Sequence, residues 1–225
     1  MAPAEHFKQF IMPNARDLRL QADYNQVRAL ADRSGGRLVI ESVKGRPPDE
    51  YILVYHCRTI ERLHAGKPIY RSLNRVRIKL PARYPVPSAP PVVEMQTAIF
   101  NPHVYPNRLV CMGSWQTSEY LEDIVLRLGA MMQFDRRYMD VRDPANEQAM
   151  YWVTQNLILL PTDHITFSGD DTPLTRAGNQ QTDSNQKPDK GIASIGDWMR
   201  EAREAQDDAF TGLSEDTSLV WQDLE

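Results

Sequence analysis

The sequence predicts an α+β domain with an N-terminal helix, a four-stranded antiparallel meander, an irregular cysteine-bearing loop and C-terminal helices. Three observations predict it. Apolar residues recur at helical spacing over residues 14–36 and again beyond residue 117. Between these stretches lie runs rich in β-branched and aromatic residues, punctuated by turn residues. The connections between the runs are too short for parallel crossovers, so neighbouring strands pair antiparallel.

The first helix is predicted in "NARDLRLQADYNQVRALADRSGG". Leu20, Tyr24, Val27 and Ala31 fall on one stripe, Asn14 can cap the start, and Gly35 and Gly36 stop it. Arg16, Arg19 and Arg28 lie largely off that stripe, as a solvated basic face or as a docking face for an acidic partner. Strands are predicted at 37–43, 51–62 and 73–80, with turns at Gly45–Pro48 and at "HAGKP". A fourth strand is predicted at 91–95, after the proline-rich "YPVPSAPP". A helix is expected over 118–134 with Ser118 as its cap. Another is expected over 143–160, with Asp143 as cap and Pro144 at the first helical position.

Charge divides the chain. Residues 1–160 hold 21 Lys+Arg and 16 Asp+Glu, whereas 161–225 hold 5 and 14. The mild overall acidity therefore covers a basic body and a strongly acidic tail. Residues 1–160 are expected to form the folded domain, large enough to bury about 70% of its unfolded surface. Residues 161–193 are polar and poor in apolar side chains, and are expected to be a disordered linker. In 194–225, "SIGDWMREAREAQDDAF" has a capping-box pattern at Ser194 and Asp197, with Trp198 on an apolar face. So short a helix is marginal alone and is expected to dock, through Trp198, on the body or on a partner.

Two cysteines do not make a disulfide framework, and a reduced setting is expected. No segment has the length of a signal peptide or a membrane span, so a cytoplasmic protein with no membrane partner is expected. The arginines form no stripe of the kind that grips nucleic acid.

Chemistry concentrates in "IFNPHVYPNRLVCMGSW". Cys111 lies in an irregular stretch, eight residues after His103, and Asn101 precedes both in a turn pinned by Pro102 and Pro106. A thiolate attacks carbonyls and exchanges thioesters, provided that donors can hold the oxyanion that forms. Asn and neutral His both carry such donors. A buried structural cysteine and a Cys–His hydrolase remain open at this point. The spacing matches no common zinc site, and no metal or organic cofactor is expected. Cys57, inside a strand pattern, is expected to be buried.

These residues resemble the catalytic domain of ubiquitin-conjugating enzymes. Tyr84–Pro85 and Pro90–Pro91 look like the family's Tyr-Pro and Pro-Pro pairs. Ten residues lead from Pro91 to Asn101, eight from His103 to Cys111, Trp115 follows, and Asp143–Pro144 looks like the family's Asp-Pro. The tripeptide Asn101-Pro102-His103 reverses the ends of the family's His-Pro-Asn. The spacing from cysteine to tryptophan is four, where eight is common. Such divergence resembles bacterial relatives found with ubiquitin-like proteins and activating enzymes in anti-phage conjugation systems.

The resemblance implies the UBC-like fold and a carrier. Cys111 would accept a ubiquitin-like protein from an activating enzyme as a thioester and pass it to an amine on a target protein. Asp143 would orient or deprotonate that amine. His103 and Asn101 would stabilise the oxyanion or shape the loop, with Trp115 packed beneath. Arg16 and Arg19 would face the activating enzyme. The alternative is an inactive module of the same fold that binds or scaffolds a ubiquitin-like protein.

Overall fold

The structure, a computed structural model, describes residues 14–138, 143–161 and 165–169. Its elements run α1 (Ala15–Arg33), β1 (Leu38–Gly45), β2 (Pro48–Tyr55), β3 (Thr59–His64), β4 (Lys67–Arg71), β5 (Asn74–Lys79), β6 (Val92–Met95), α2 (Leu121–Met132) and α3 (Glu147–Gln155). The predicted α+β order of N-terminal helix, antiparallel sheet and C-terminal helices is the one observed. Trp198 and the tail 170–225 lie outside the described residues.

Four strands form one antiparallel sheet in the order β1-β2-β5-β6. Register explains its core. Leu53, Val76 and Met95 face one another across three strands, as do Tyr51, Ile78 and Val93. All six are buried. With a side-chain period of two, the intervening residues must point outward. There Arg77 bridges Glu50 at 3.0 Å and Glu94 at 3.5 Å, while Lys44 reaches Glu50 at 2.9 Å. Hydrogen bonds from Arg77 and Lys44 hold the Glu50 carboxyl down to about 2. Leu20, Val27 and Leu30 of α1 and Leu121, Ile124, Val125, Leu128 and Met132 of α2 close the core on the inner face.

The predicted strand at 51–62 is two elements. The chain leaves the sheet after Tyr55, because Asn74 supplies at Cys57 what a strand neighbour would. Its Nδ2 donates to the Cys57 carbonyl at 2.8 Å, and its Oδ1 accepts from Thr59 Oγ1 at 2.8 Å. Alternation of apolar residues cannot register such a break. Strands β3 and β4 form a separate hairpin between β2 and β5. "HAGKP" holds its two-residue turn, Ala65 at φ 48° and Gly66 at φ 75°, the conformation a tight hairpin requires. Cys57 is buried as expected.

Helix boundaries differ from expectation where capping comes from elsewhere. Asn14 does cap α1, accepting from Asp17 N at 2.8 Å. Helix α2 begins at Leu121 rather than near Ser118. Its first N–H donates to the carboxylate of Asp23, on α1, at 3.0 Å, and Asp123 takes the Tyr120 N–H at 2.9 Å. Helix α3 begins at Glu147 with Asn146 as the cap, accepting from Ala149 N at 3.0 Å. Asp143 is therefore not a cap, and Pro144 precedes the helix.

Asp23 is wholly buried on α1. It accepts from Arg19 Nε at 3.1 Å and from the Tyr84 hydroxyl at 2.8 Å, besides Leu121 N. Burial and the neighbouring Asp23 carboxylate push the Tyr84 hydroxyl above its usual range. One carboxylate thus joins α1, the segment after β5 and the start of α2.

The body does not end at residue 160. Residues 165–169 return to it. Phe167 is 3% exposed and meets Tyr55 edge-on at 5.3 Å between centroids. Gln133 brackets Ile165, donating to its carbonyl at 2.9 Å and accepting its N–H at 2.8 Å. Gly129 explains how the ring fits, since a Cβ there would lie 2.5 Å from Phe167. The polar composition after Pro161 hides this anchor, because only Phe167 and, partly buried, Ile165 pack against the core.

Candidate active site

The spacing of eight between His103 and Cys111 is the geometry of a miniature hairpin. Val104 and Val110 bridge antiparallel, the Cys111 N–H donates to the His103 carbonyl at 2.8 Å, and the Tyr105 N–H to the Leu109 carbonyl at 2.9 Å. Pro106 and Asn107 make the tip. The Asn107 side chain accepts from Leu109 N at 3.1 Å, and Arg108 adopts φ 70°. A second bridge, Glu94 to Leu109, fastens the hairpin to β6. Because side chains alternate, Val104 and Val110 turn to the core, and His103, Tyr105, Leu109 and Cys111 share the opposite face.

That face opens on a cavity of about 250 Å³ lined by His103, Cys111, Met112, Gly113, Arg127, Met131 and Asp143, among others. The cavity brings together three of the four residues predicted as catalytic. Cys111 is half-buried and has a free thiol, His103 is 9% exposed, and Asp143 is exposed. Asn101 is the exception, because it lies beneath the loop. Its Nδ2 donates to the Met131 carbonyl at 3.1 Å, and its Oδ1 accepts from His103 N at 2.9 Å. An amide used at both ends fixes the turn on which His103 stands. The Asn146 N–H donates to the Pro102 carbonyl at 3.0 Å, tying the chain beyond Asp143 to the same turn.

Sequence reasoning missed Tyr105. Its side chain lies beside Cys111, and interaction with Cys111, with desolvation and the Asp143 carboxylate, pushes the phenol above its ordinary value. The available signal was parity: residues 103, 105, 109 and 111 share a face once the spacing of eight is read as a hairpin. Trp115 packs against Tyr84, 5.7 Å between centroids, at the edge of the core below this loop.

The two arginines predicted to meet a partner are both engaged within the body. Arg19 is 14% exposed. It holds Asp23, donates to the Thr117 and Glu119 carbonyls, and lies 4.4 Å over the Tyr120 ring. Arg16 pairs with Asp49 at 3.3 Å and donates to the Pro81 carbonyl at 3.3 Å, with 26% of its side chain exposed. Among the described residues no group of three or more His, Cys, Asp or Glu could hold a metal ion, and no helix is long and apolar enough to cross a membrane.

No family model matches the chain, and no curated protein matches it. Solved structures similar to it include two ubiquitin-conjugating enzymes. Human ubiquitin-conjugating enzyme E2 G1 is 16% identical at a TM-score of 0.40, covering 52% of this chain and 95% of its own. A Trypanosoma cruzi protein assigned as a ubiquitin-conjugating enzyme is 18% identical at a TM-score of 0.47, covering 65% and 94%.

Proposed function

We propose that the protein is a ubiquitin-conjugating-like carrier with Cys111 as its nucleophile. The observation that carries this reading is the convergence of a half-exposed thiol, His103 directly across the hairpin and Asp143 on one cavity, with Tyr105 on the same face of the hairpin as the thiol. The motif resemblance of Asn101-Pro102-His103, Cys111 and Asp143 supports it independently.

In the first step the Cys111 thiolate attacks the C-terminal carbonyl of a ubiquitin-like protein held as a thioester on an activating enzyme. A C–S bond forms to Cys111 as the bond to the activating enzyme's cysteine breaks, and that cysteine leaves as thiolate. In the second step an amine of a target attacks the same carbonyl, Cys111 leaves as thiolate, and the amine proton passes to Asp143. His103 and Tyr105 would serve as donors to the intermediate oxyanion. Asn101 acts through the loop it props. Arg16, the more exposed of the two helix arginines, is the better placed to meet the activating enzyme. The Trp198 segment serves as a docking element. The departures from the family's motifs support membership of a bacterial anti-phage conjugation system. Neighbouring genes for a ubiquitin-like protein and an activating enzyme would be the expected company, and their absence would count against that placement.

The test of the carrier is incubation with a cognate activating enzyme, its ubiquitin-like protein and ATP. The expected product is an adduct on Cys111 that dithiothreitol removes and that Cys111→Ala does not form. Non-covalent binding with no adduct would instead favour the inactive module.

A further inference from the structure

The Cys111 cavity adjoins a second one, of about 160 Å³, lined by Pro91, Val110, Met112, Gly113, Trp115 and Arg127, among others. Met112, Gly113 and Arg127 line both cavities, so one path runs from the nucleophile past the Arg127 side chain toward Trp115. Arg127 is unusual on this path. It is a basic residue on an otherwise apolar and acidic helix, and its side chain is 15% exposed. Glu119 takes one of its nitrogens, Nη1, at 2.9 Å. Among the described residues, Nε and Nη2 are buried without a hydrogen-bond partner.

A buried donor left unmet costs free energy, so two such atoms on one side chain mark a place built for an acceptor. Nε and Nη2 lie on the same edge of the guanidinium, and their parallel N–H bonds match the two oxygens of a carboxylate. We infer that Arg127 reads an acidic side chain near the C-terminus of the protein whose acyl group Cys111 receives. The inference rests on the carrier reading and adds to it the substrate feature that the site selects.

Asp143 and Arg127 bring opposite charges to the cavity that Cys111 lines. Asp143 provides an anion beside the thiol, which suits an incoming ammonium. Arg127 provides a cation that repels one. The amine therefore approaches on the Asp143 side, and the acyl chain runs past Arg127. An extended chain advances about 3.3 Å per residue, so the residue read lies within the last few before the reacting carbonyl.

The experiment uses the full chain and synthetic peptides that end in glycine as alkyl thioesters. Each carries Glu, Ala or Lys at one of the second to fifth positions from that end. Cys111 displaces the alkyl thiolate from the glycyl carbonyl, and intact mass follows acylation without an activating enzyme. At one position the Glu peptide is expected to react about tenfold faster than the Ala peptide, and the Lys peptide slower still. In Arg127→Met the Glu/Ala ratio is expected to fall to about one, and in Arg127→Lys to an intermediate value, since an ammonium lacks the fork. Equal rates for Glu, Ala and Lys at every position overturn the inference while leaving the carrier standing. That panel on the unaltered chain decides it even where Arg127→Met fails to fold. No acylation of Cys111 by any peptide overturns the carrier reading as well.

Discussion

Replacing Asp23 with alanine is the most demanding perturbation of the architecture. The carboxylate is wholly buried and is met by Arg19 Nε at 3.1 Å, the Tyr84 hydroxyl at 2.8 Å and Leu121 N at 3.0 Å. Alanine strands all three donors, and one belongs to a guanidinium that is itself 14% exposed. Stranding a single buried donor costs about 1–3 kcal/mol. Breaking one side of a buried charge pair costs about 3–5 kcal/mol. Arg19 retains the Thr117 and Glu119 carbonyls and the Tyr120 ring, which hold the total to that second range. Urea unfolding of Asp23→Ala is thus expected to lose about 3–5 kcal/mol with an unchanged m-value. A double-mutant cycle with Tyr84→Phe is expected to show coupling of about 0.5–3 kcal/mol. A loss below about 1 kcal/mol would refute the reasoning, because it would mean that the three donors find other acceptors.

Other perturbations read other links in the chain. Truncation after Leu160 removes Phe167 and is expected to cost about 3–5 kcal/mol in urea unfolding, whereas truncation after Gly169 leaves the anchor in place; equal stability of the two would place the boundary back at 160. Glu50, whose folded value near 2 is below the unfolded carboxylate's, stabilises the sheet above about pH 4.3, and this contribution is lost as pH falls toward 2. Melting of Glu50→Gln is accordingly expected to change less than that of the parent between pH 5 and pH 2.5, and parallel curves would contradict the ion-pair account. Tyr105→Phe, at a residue 43% exposed, is expected to leave the melting temperature alone. It should slow discharge of the Cys111 thioester to an amine on the order of 100-fold in single turnover. An unchanged rate would remove the hydroxyl from the chemistry.

What the sequence made legible follows from the range of each signal. Helix α1, its Asn14 cap and the alternating Val76, Ile78 and Leu80 depend on neighbours within a few residues, and periodicity finds them. The grouping of Cys111, His103 and Asp143 was legible through motif order and spacing. Asp23 was not, because its partners lie 61 and 98 residues away and a lone acid on an apolar stripe looks like a surface position. Neither was the break at Cys57, since the residue that satisfies it, Asn74, belongs to a later strand. Phe167 sits in a polar stretch with only Ile165 beside it, and the gap left by Gly129 gives its ring a place. Arg127 reads from sequence as one more charge on an amphipathic helix; its two unmet nitrogens exist only in three dimensions.

The small hairpin at residues 103–111 turns aim into arithmetic. Adding or removing one residue between Val104 and Val110 would carry the sulfur from the open side to the packed side, while a change of two at the tip would return it to the open side. Loops of this kind can therefore vary in chemistry and in even steps of length while their nucleophile keeps its outlook. Odd steps are closed to them unless a bulge absorbs the extra residue.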